Sequence, residues 1–187
     1  MLEKLRSRVA GAIKPVALAI SHSGLSPNQI TLIGFAVSLL SAYAFFEKNQ
    51  LWGGVLLLLA GLFDILDGAV AKATGRVTKF GGVLDSILDR YSDLTVLGAI
   101  LIAGLCDPIS GTVAIIGSVM VSYVRARGEV EGVKMSGVGI LERAERIVIL
   151  AATALVGYVW IGVIVLAILT QVTVVQRIYH IRKNLKD

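Results

Sequence analysis

Six times between residues 29 and 175 the chain returns to a long apolar stretch: 29–46, 51–70, 81–105, 109–124, 147–158 and 161–175. Several match the length of about 20 residues that a helix needs to cross ~30 Å of hydrocarbon. Helices are also the form in which a chain satisfies its backbone polar groups without water. The chain is 56% hydrophobic and 17% charged, with a mean hydropathy of +0.80. Soluble domains average about 45–50% apolar and about 25% charged residues, and 187 residues cannot hide this excess in one aqueous core. A water-soluble globule and a disordered chain are both excluded. The expectation is an all-α integral membrane protein of one domain, residues 1–187, with a bundle of six transmembrane helices over 27–183. The fifth stretch is short for a span unless the charged segment 142–146 forms its first turns.

Residues 1–22 read differently. Leu2, Leu5, Val9, Ile13 and Val16 recur at helical spacing, with Lys4, Arg6, Arg8 and Lys14 between them. That pattern predicts an N-terminal amphipathic helix lying on the membrane surface. It lacks the continuous apolar core and small-residue cleavage site of a signal peptide. With six spans, the N-terminus, the second and fourth links and the C-terminus share one side. That side holds 17 of the 18 Lys and Arg; only Lys48 lies opposite. The positive-inside rule makes it the cytoplasmic side of the cell membrane. The net charge of +5 therefore describes a basic collar against membrane lipids rather than a nucleic-acid patch. The single cysteine, Cys106, excludes a disulfide scaffold or a cysteine-ligated metal and reads as a small packing residue.

Acidic residues carry the functional signal. Asp64, Asp67, Asp85, Asp89 and Asp93 fall in or against the second and third stretches, where a charge at bilayer depth costs several kcal/mol. Asp64 and Asp67 stand at i and i+3, and Asp85, Asp89 and Asp93 at i, i+4 and i+8, so each set shares a helix face. The two helices are consecutive and are expected side by side, with the carboxylates converging near their cytoplasmic ends. Divalent cations such as Mg²⁺ or Mn²⁺ relieve the repulsion, and two metals with carboxylates suit phosphoryl chemistry. A cation-transport pathway, or a structural network with Lys72, Arg76, Lys79 and Arg90, uses the same residues. The small residues Gly68, Ala69, Ala71, Gly81 and Gly82 let a ligand approach the backbone, and they equally let helices pack.

Read together, the segment is Asp64-x₂-Asp67-Gly68-x₂-Ala71-Lys72-x₈-Gly81-x₃-Asp85-x₃-Asp89. It resembles the signature of the CDP-alcohol phosphotransferases, D-x₂-D-G-x₂-A-R-x₈₋₉-G-x₃-D-x₃-D, at seven of eight fixed positions over 26 residues. Lys72 replaces the family Arg, keeping the charge and losing the two-pronged phosphate grip. The resemblance implies the family architecture of six spans behind a surface helix. It implies two metal ions on Asp64, Asp67, Asp85 and Asp89, with Asp89 also the general base. It places Gly68, Lys72 and Thr78 on the nucleotide and diphosphate, and Ala71 and Gly81 beside the cytidine. Ser26, Pro27, Asn28 and Gln29 resemble the entry to the first span, which contributes to the CDP-lipid site.

A second basic cluster bears on the acceptor. Arg125 and Arg127 end the fourth stretch, Arg143 and Arg146 begin the fifth, and Arg177 ends the sixth. Arginine forks match phosphate oxygens, which an uncharged alcohol does not need. The wording around Tyr123–Glu129, Glu142–Arg146 and Val175–Arg177 resembles the phosphatidylinositol-phosphate synthases and their archaeal archaetidylinositol-phosphate counterparts. That resemblance implies that Arg125, Arg146 and Arg177 hold the phosphate of inositol 1-phosphate. The reaction expected is transfer of a lipid phosphate from CDP-diacylglycerol or CDP-archaeol to that acceptor, releasing CMP. Glycerol 3-phosphate is the alternative acceptor. The family resemblance and the Gly-rich helices also imply a homodimer.

Overall fold

The computed structural model describes residues 25–185, so the surface helix expected over 1–22 lies outside the described residues. Six helices follow in order: α1 (Pro27–Phe46), α2 (Gln50–Ala73), α3 (Lys79–Ile102), α4 (Pro108–Val130), α5 (Arg143–Leu155) and α6 (Val159–Asn184). Their starts have local causes. At α1, Ser26 Oγ accepts from the Gln29 amide at 3.3 Å while Gln29 Oε1 accepts from the Ser26 amide at 2.8 Å. Pro27 occupies the first turn, where a missing N–H goes unnoticed. Asp107 caps α4 without a reciprocal bond, its Oδ1 accepting the Ile109 and Ser110 amides at 3.1 and 2.9 Å, again with a proline in the first turn. The Ser110 hydroxyl and amide hold its carboxyl below the usual carboxylate range, because both hydrogen bonds favour the ionised form.

The short fifth stretch does recruit its charged neighbours, since Glu145 Oε2 accepts the Glu142 amide at 3.0 Å and the helix begins at Arg143. Elsewhere the helices outrun or fall short of the apolar stretches. Helix α4 continues to Val130 and α6 to Asn184, because the helix persists through polar turns that hydropathy reads as an end. Helix α3 stops at Ile102, ahead of Gly104 at φ +69°, a conformation that breaks a helix and suits glycine.

Four helices, α1, α2, α4 and α6, are long and apolar enough to cross a membrane. The other two fall short of the six expected spans for different reasons. Helix α3 is long but carries Asp85, Asp89, Arg90 and Asp93. Helix α5 has 13 residues, about 20 Å at 1.5 Å per residue.

The packed pairs are α1–α2, α2–α5, α5–α6, α6–α4, α4–α3 and α3–α1, which closes a ring. Helices α2 and α3, expected side by side, do not pack closely; both lean on α1 and leave a gap between their facing sides. Small residues set the tightest crossings. A side chain at Gly117 of α4 would strike Thr170 and Gln171 of α6, and one at Gly54 of α2 would meet Ala151 and Ala154 of α5. Polar links cross the ring as well: Ser38 Oγ to Ser92 Oγ at 2.8 Å, and the Val159 amide to Gln50 Oε1 at 3.0 Å.

Candidate active site

The gap between α2 and α3 is a cavity of about 180 Å³ roofed by the start of α1. Its walls are Pro27, Asn28 and Thr31 of α1, and Asp67, Gly68, Ala71 and Lys72 of α2. Arg76, Val77 and Thr78 come from the connecting turn, and Gly81, Gly82 and Asp85 from α3. Helical spacing explains the selection, since 67, 68, 71 and 72 lie on one face of α2 and 81, 82 and 85 on one face of α3. Asp67 is buried, and Thr31 Oγ1 donates to its Oδ2 at 2.6 Å. Thr78 caps α3, its Oγ1 accepting the Gly81 amide at 3.0 Å. A Cβ at Gly81 would stand 2.9 Å from Thr78 Oγ1 and 3.0 Å from Asn28 Oδ1, so only glycine lets α3 begin this close to α1. A Cβ at Gly68 would meet nothing within 4 Å; it would project into open space.

The remaining carboxylates face α5. Arg143 Nη1 donates to Asp64 Oδ2 and lies 2.8 Å from Asp89 Oδ1, while its Nε lies 3.4 Å from Asp93 Oδ1. Arg146 Nη2 donates to Asp93 Oδ2 at 2.6 Å. Arg90 Nη1 stands 3.4 Å from Asp89 Oδ2. Behind this network lies a pocket of about 20 Å³ lined by Ser38, Ser92, Asp93, Ser118, Arg143 and Arg146. Two atoms of its lining residues, Ser118 Oγ and Arg146 Nε, are buried and have no partner among the described residues. Arg177 is 2% exposed, with Nε donating to the Val138 carbonyl at 2.9 Å and Nη1 to the Val121 carbonyl at 2.5 Å. Arg125 is exposed and pairs with Glu129 at 3.0 Å.

The nine residues expected at the CDP-lipid site therefore divide. Pro27, Asn28, Gly68, Ala71, Lys72, Thr78 and Gly81 line the cavity, whereas Ser26 and Gln29 bond to each other as the α1 cap. Of the carboxylates, Asp67 and Asp85 face the cavity and Asp64, Asp89 and Asp93 face Arg143. Asp67, Asp85 and Asp89 remain near enough for their charges to act on one another. Among the described residues no three acidic, histidine or cysteine side chains close around one point. The donor set nevertheless fits a hard divalent cation, being all carboxylate oxygens on two facing helices. Arg125 and Arg146 both act electrostatically on Arg177, so the three arginines share a region, and Arg146 alone of them is bonded into the Asp network. Three residues were missed: Thr31, Arg76 and the central place of Arg143. Thr31 stands four residues after Pro27 and Arg143 three before Arg146, so helix spacing carried a signal for both.

The sequence model of the CDP-alcohol phosphatidyltransferase family matches residues 25–179. The archaetidylinositol phosphate synthase of Pyrococcus horikoshii is 42% identical over 186 residues, covering 100% of this chain and 99% of its own. The phosphatidylinositol phosphate synthase of Mycobacterium tuberculosis has the same fold in two solved structures, both 30% identical. One, with CDP-DAG bound, has a TM-score of 0.80 and covers 90% of this chain and 92% of its own. The other, with manganese and citrate, has a TM-score of 0.84 and covers 94% and 92%.

Proposed function

This chain belongs to the CDP-alcohol phosphatidyltransferase family, and on that premise we propose that it makes an inositol phospholipid phosphate from a CDP-linked lipid and inositol 1-phosphate. A hydroxyl oxygen of the acceptor bonds to the lipid-side phosphorus of the diphosphate. The bond from that phosphorus to the bridging oxygen breaks, CMP leaves with the bridging oxygen, and the hydroxyl proton passes to Asp89. Asp64, Asp67, Asp85 and Asp89 would hold two divalent ions, Mg²⁺ or Mn²⁺. Bound there, the metals would neutralise the diphosphate and the departing CMP.

The observation that carries this reading is the cavity between α2 and α3. It is lined by the signature residues and open at Gly68. Arg76 on the same wall brings the guanidinium fork that Lys72 lacks. For the acceptor, the buried Arg146 Nε is a donor free to take a phosphate oxygen. Arg177 and Arg125 would complete the basic pocket. All six helices would span the bilayer, with the site and both termini in the cytoplasm, and the protein would work as a homodimer in the cell membrane. The relatives described above are synthases, which leaves the cation-transport and purely structural readings of the carboxylates without support.

Membranes carrying the protein, given CDP-lipid, inositol 1-phosphate and Mg²⁺, should release CMP. Release should stop with EDTA or with Asp67→Asn, while the variant still inserts. Equal turnover of glycerol 3-phosphate would overturn the acceptor assignment, and no CMP release above background would overturn the reaction.

A further inference from the structure

Arg143 lies among three carboxylates of two other helices. Its Nη1 carries both contacts to Asp64 and Asp89, and its Nε reaches Asp93. The guanidinium is 18% exposed and the three carboxylates 21%, 16% and 15%, so water screens the group weakly. Asp64 and Asp89 belong to the four-Asp set proposed above for the metal ions, whereas Asp93 lies one helical turn beyond it. One cation is therefore bonded at once to two of the proposed metal ligands and to a carboxylate outside the set.

We propose that Arg143 is an internal counter-cation of the carboxylate cluster, which a divalent ion must displace from Asp64 and Asp89, with Asp93 as the tether that retains the displaced guanidinium. The inference rests on the metal reading of the Asp set. Like charges cannot share the same oxygens, so guanidinium and metal compete for Asp64 and Asp89. Without a cation, the cluster would repel itself in a low-dielectric bundle. With Arg143 in place the bundle closes before metal arrives. Arginine suits the position because its planar fork meets carboxylates from several directions, which a lysine ammonium on a flexible stem does not hold. Asp93 also binds Arg146 at 2.6 Å, so the tether joins the proposed metal site to the proposed acceptor pocket.

The test is Mn²⁺ binding to the purified, detergent-solubilised full chain without substrate, read by titration calorimetry, alongside its melting temperature with and without Mn²⁺. Arg143→Gln should bind Mn²⁺ about tenfold more tightly than wild type. It should melt lower without metal and gain more on adding Mn²⁺, because the ion then replaces a missing charge. Arg143→Lys, which keeps the charge without the fork, should fall between the two and carries the test if the Gln variant does not fold. Asp93→Asn should move the other way and weaken Mn²⁺ binding, since the displaced guanidinium loses its tether. Unchanged or weaker Mn²⁺ affinity in folded Arg143 variants, with wild type still binding, would overturn the counter-cation role alone. A wild type that binds no Mn²⁺ would overturn the metal reading beneath it.

Discussion

At Gly68 the helix has a vacant side. Alanine stabilises a helix interior by about 1 kcal/mol relative to glycine, and a Cβ here meets no neighbour. Gly68→Ala should therefore melt at or slightly above the wild-type temperature, yet show a higher apparent KM for CDP-lipid because the methyl group enters the cavity. A thermal melt beside a kinetic titration separates the two effects, and an unchanged KM would remove Gly68 from the lipid site. Arg146 poses the opposite problem, being 3% exposed and bonded to Asp93. Arg146→Lys keeps that charge pair and loses the fork. A lost charge-assisted hydrogen bond is worth ~1.5–3 kcal/mol, so the apparent KM for inositol 1-phosphate should rise at least about tenfold while that for CDP-lipid holds. Equal rises for both substrates would place Arg146 outside the acceptor pocket.

Among the elements, α4 and α6 meet most tightly where Gly117 faces Thr170. Gly117→Val would force these helices apart and should destabilise the bundle by about 1–3 kcal/mol, seen as a lower melting temperature in detergent. Helix existence was legible from the apolar stretches because burial in lipid writes itself into hydropathy. Helix ends were not, since α4 and α6 run on through Arg125, Arg127 and Arg177 on hydrogen bonds that hydropathy does not register. The Asp signature was legible because 3.6-residue spacing places each set on one face. What spacing could not convey is that α2 and α3 stand apart, with Asp64 and Asp89 turned to an arginine of α5 rather than to Asp67. That arrangement depends on how the ring closes, which is a matter of packing between distant helices.

For the molecule as a whole, the two ends differ in kind. The Asp–Arg network and the cavity occupy one end. At the other, Tyr43, Trp52, Tyr158 and Trp160 stand exposed around the α1–α2 and α5–α6 turns, as aromatic side chains do at a membrane–water interface. A single cysteine introduced at Lys48, in a Cys106→Ser background, should accept a membrane-impermeant thiol reagent in intact cells. One at Arg127 should react only after permeabilisation, and labelling of both in intact cells would reverse the orientation.

The ring also has an order of birth. Asp64 precedes its partner Arg143 by 79 residues, and Asp93 precedes Arg146 by 53. At about 5–20 residues per second, a ribosome takes roughly 4 to 16 seconds to cover the longer interval. For that time the nascent second helix carries Asp64 before its partner Arg143 has been made. Asp64, Asp89 and Asp93 cannot pair with Arg143 until the fifth helix is made, so closure of this network is a late event in synthesis. A translational stall between residues 93 and 143 would leave these carboxylates without the arginine that joins them.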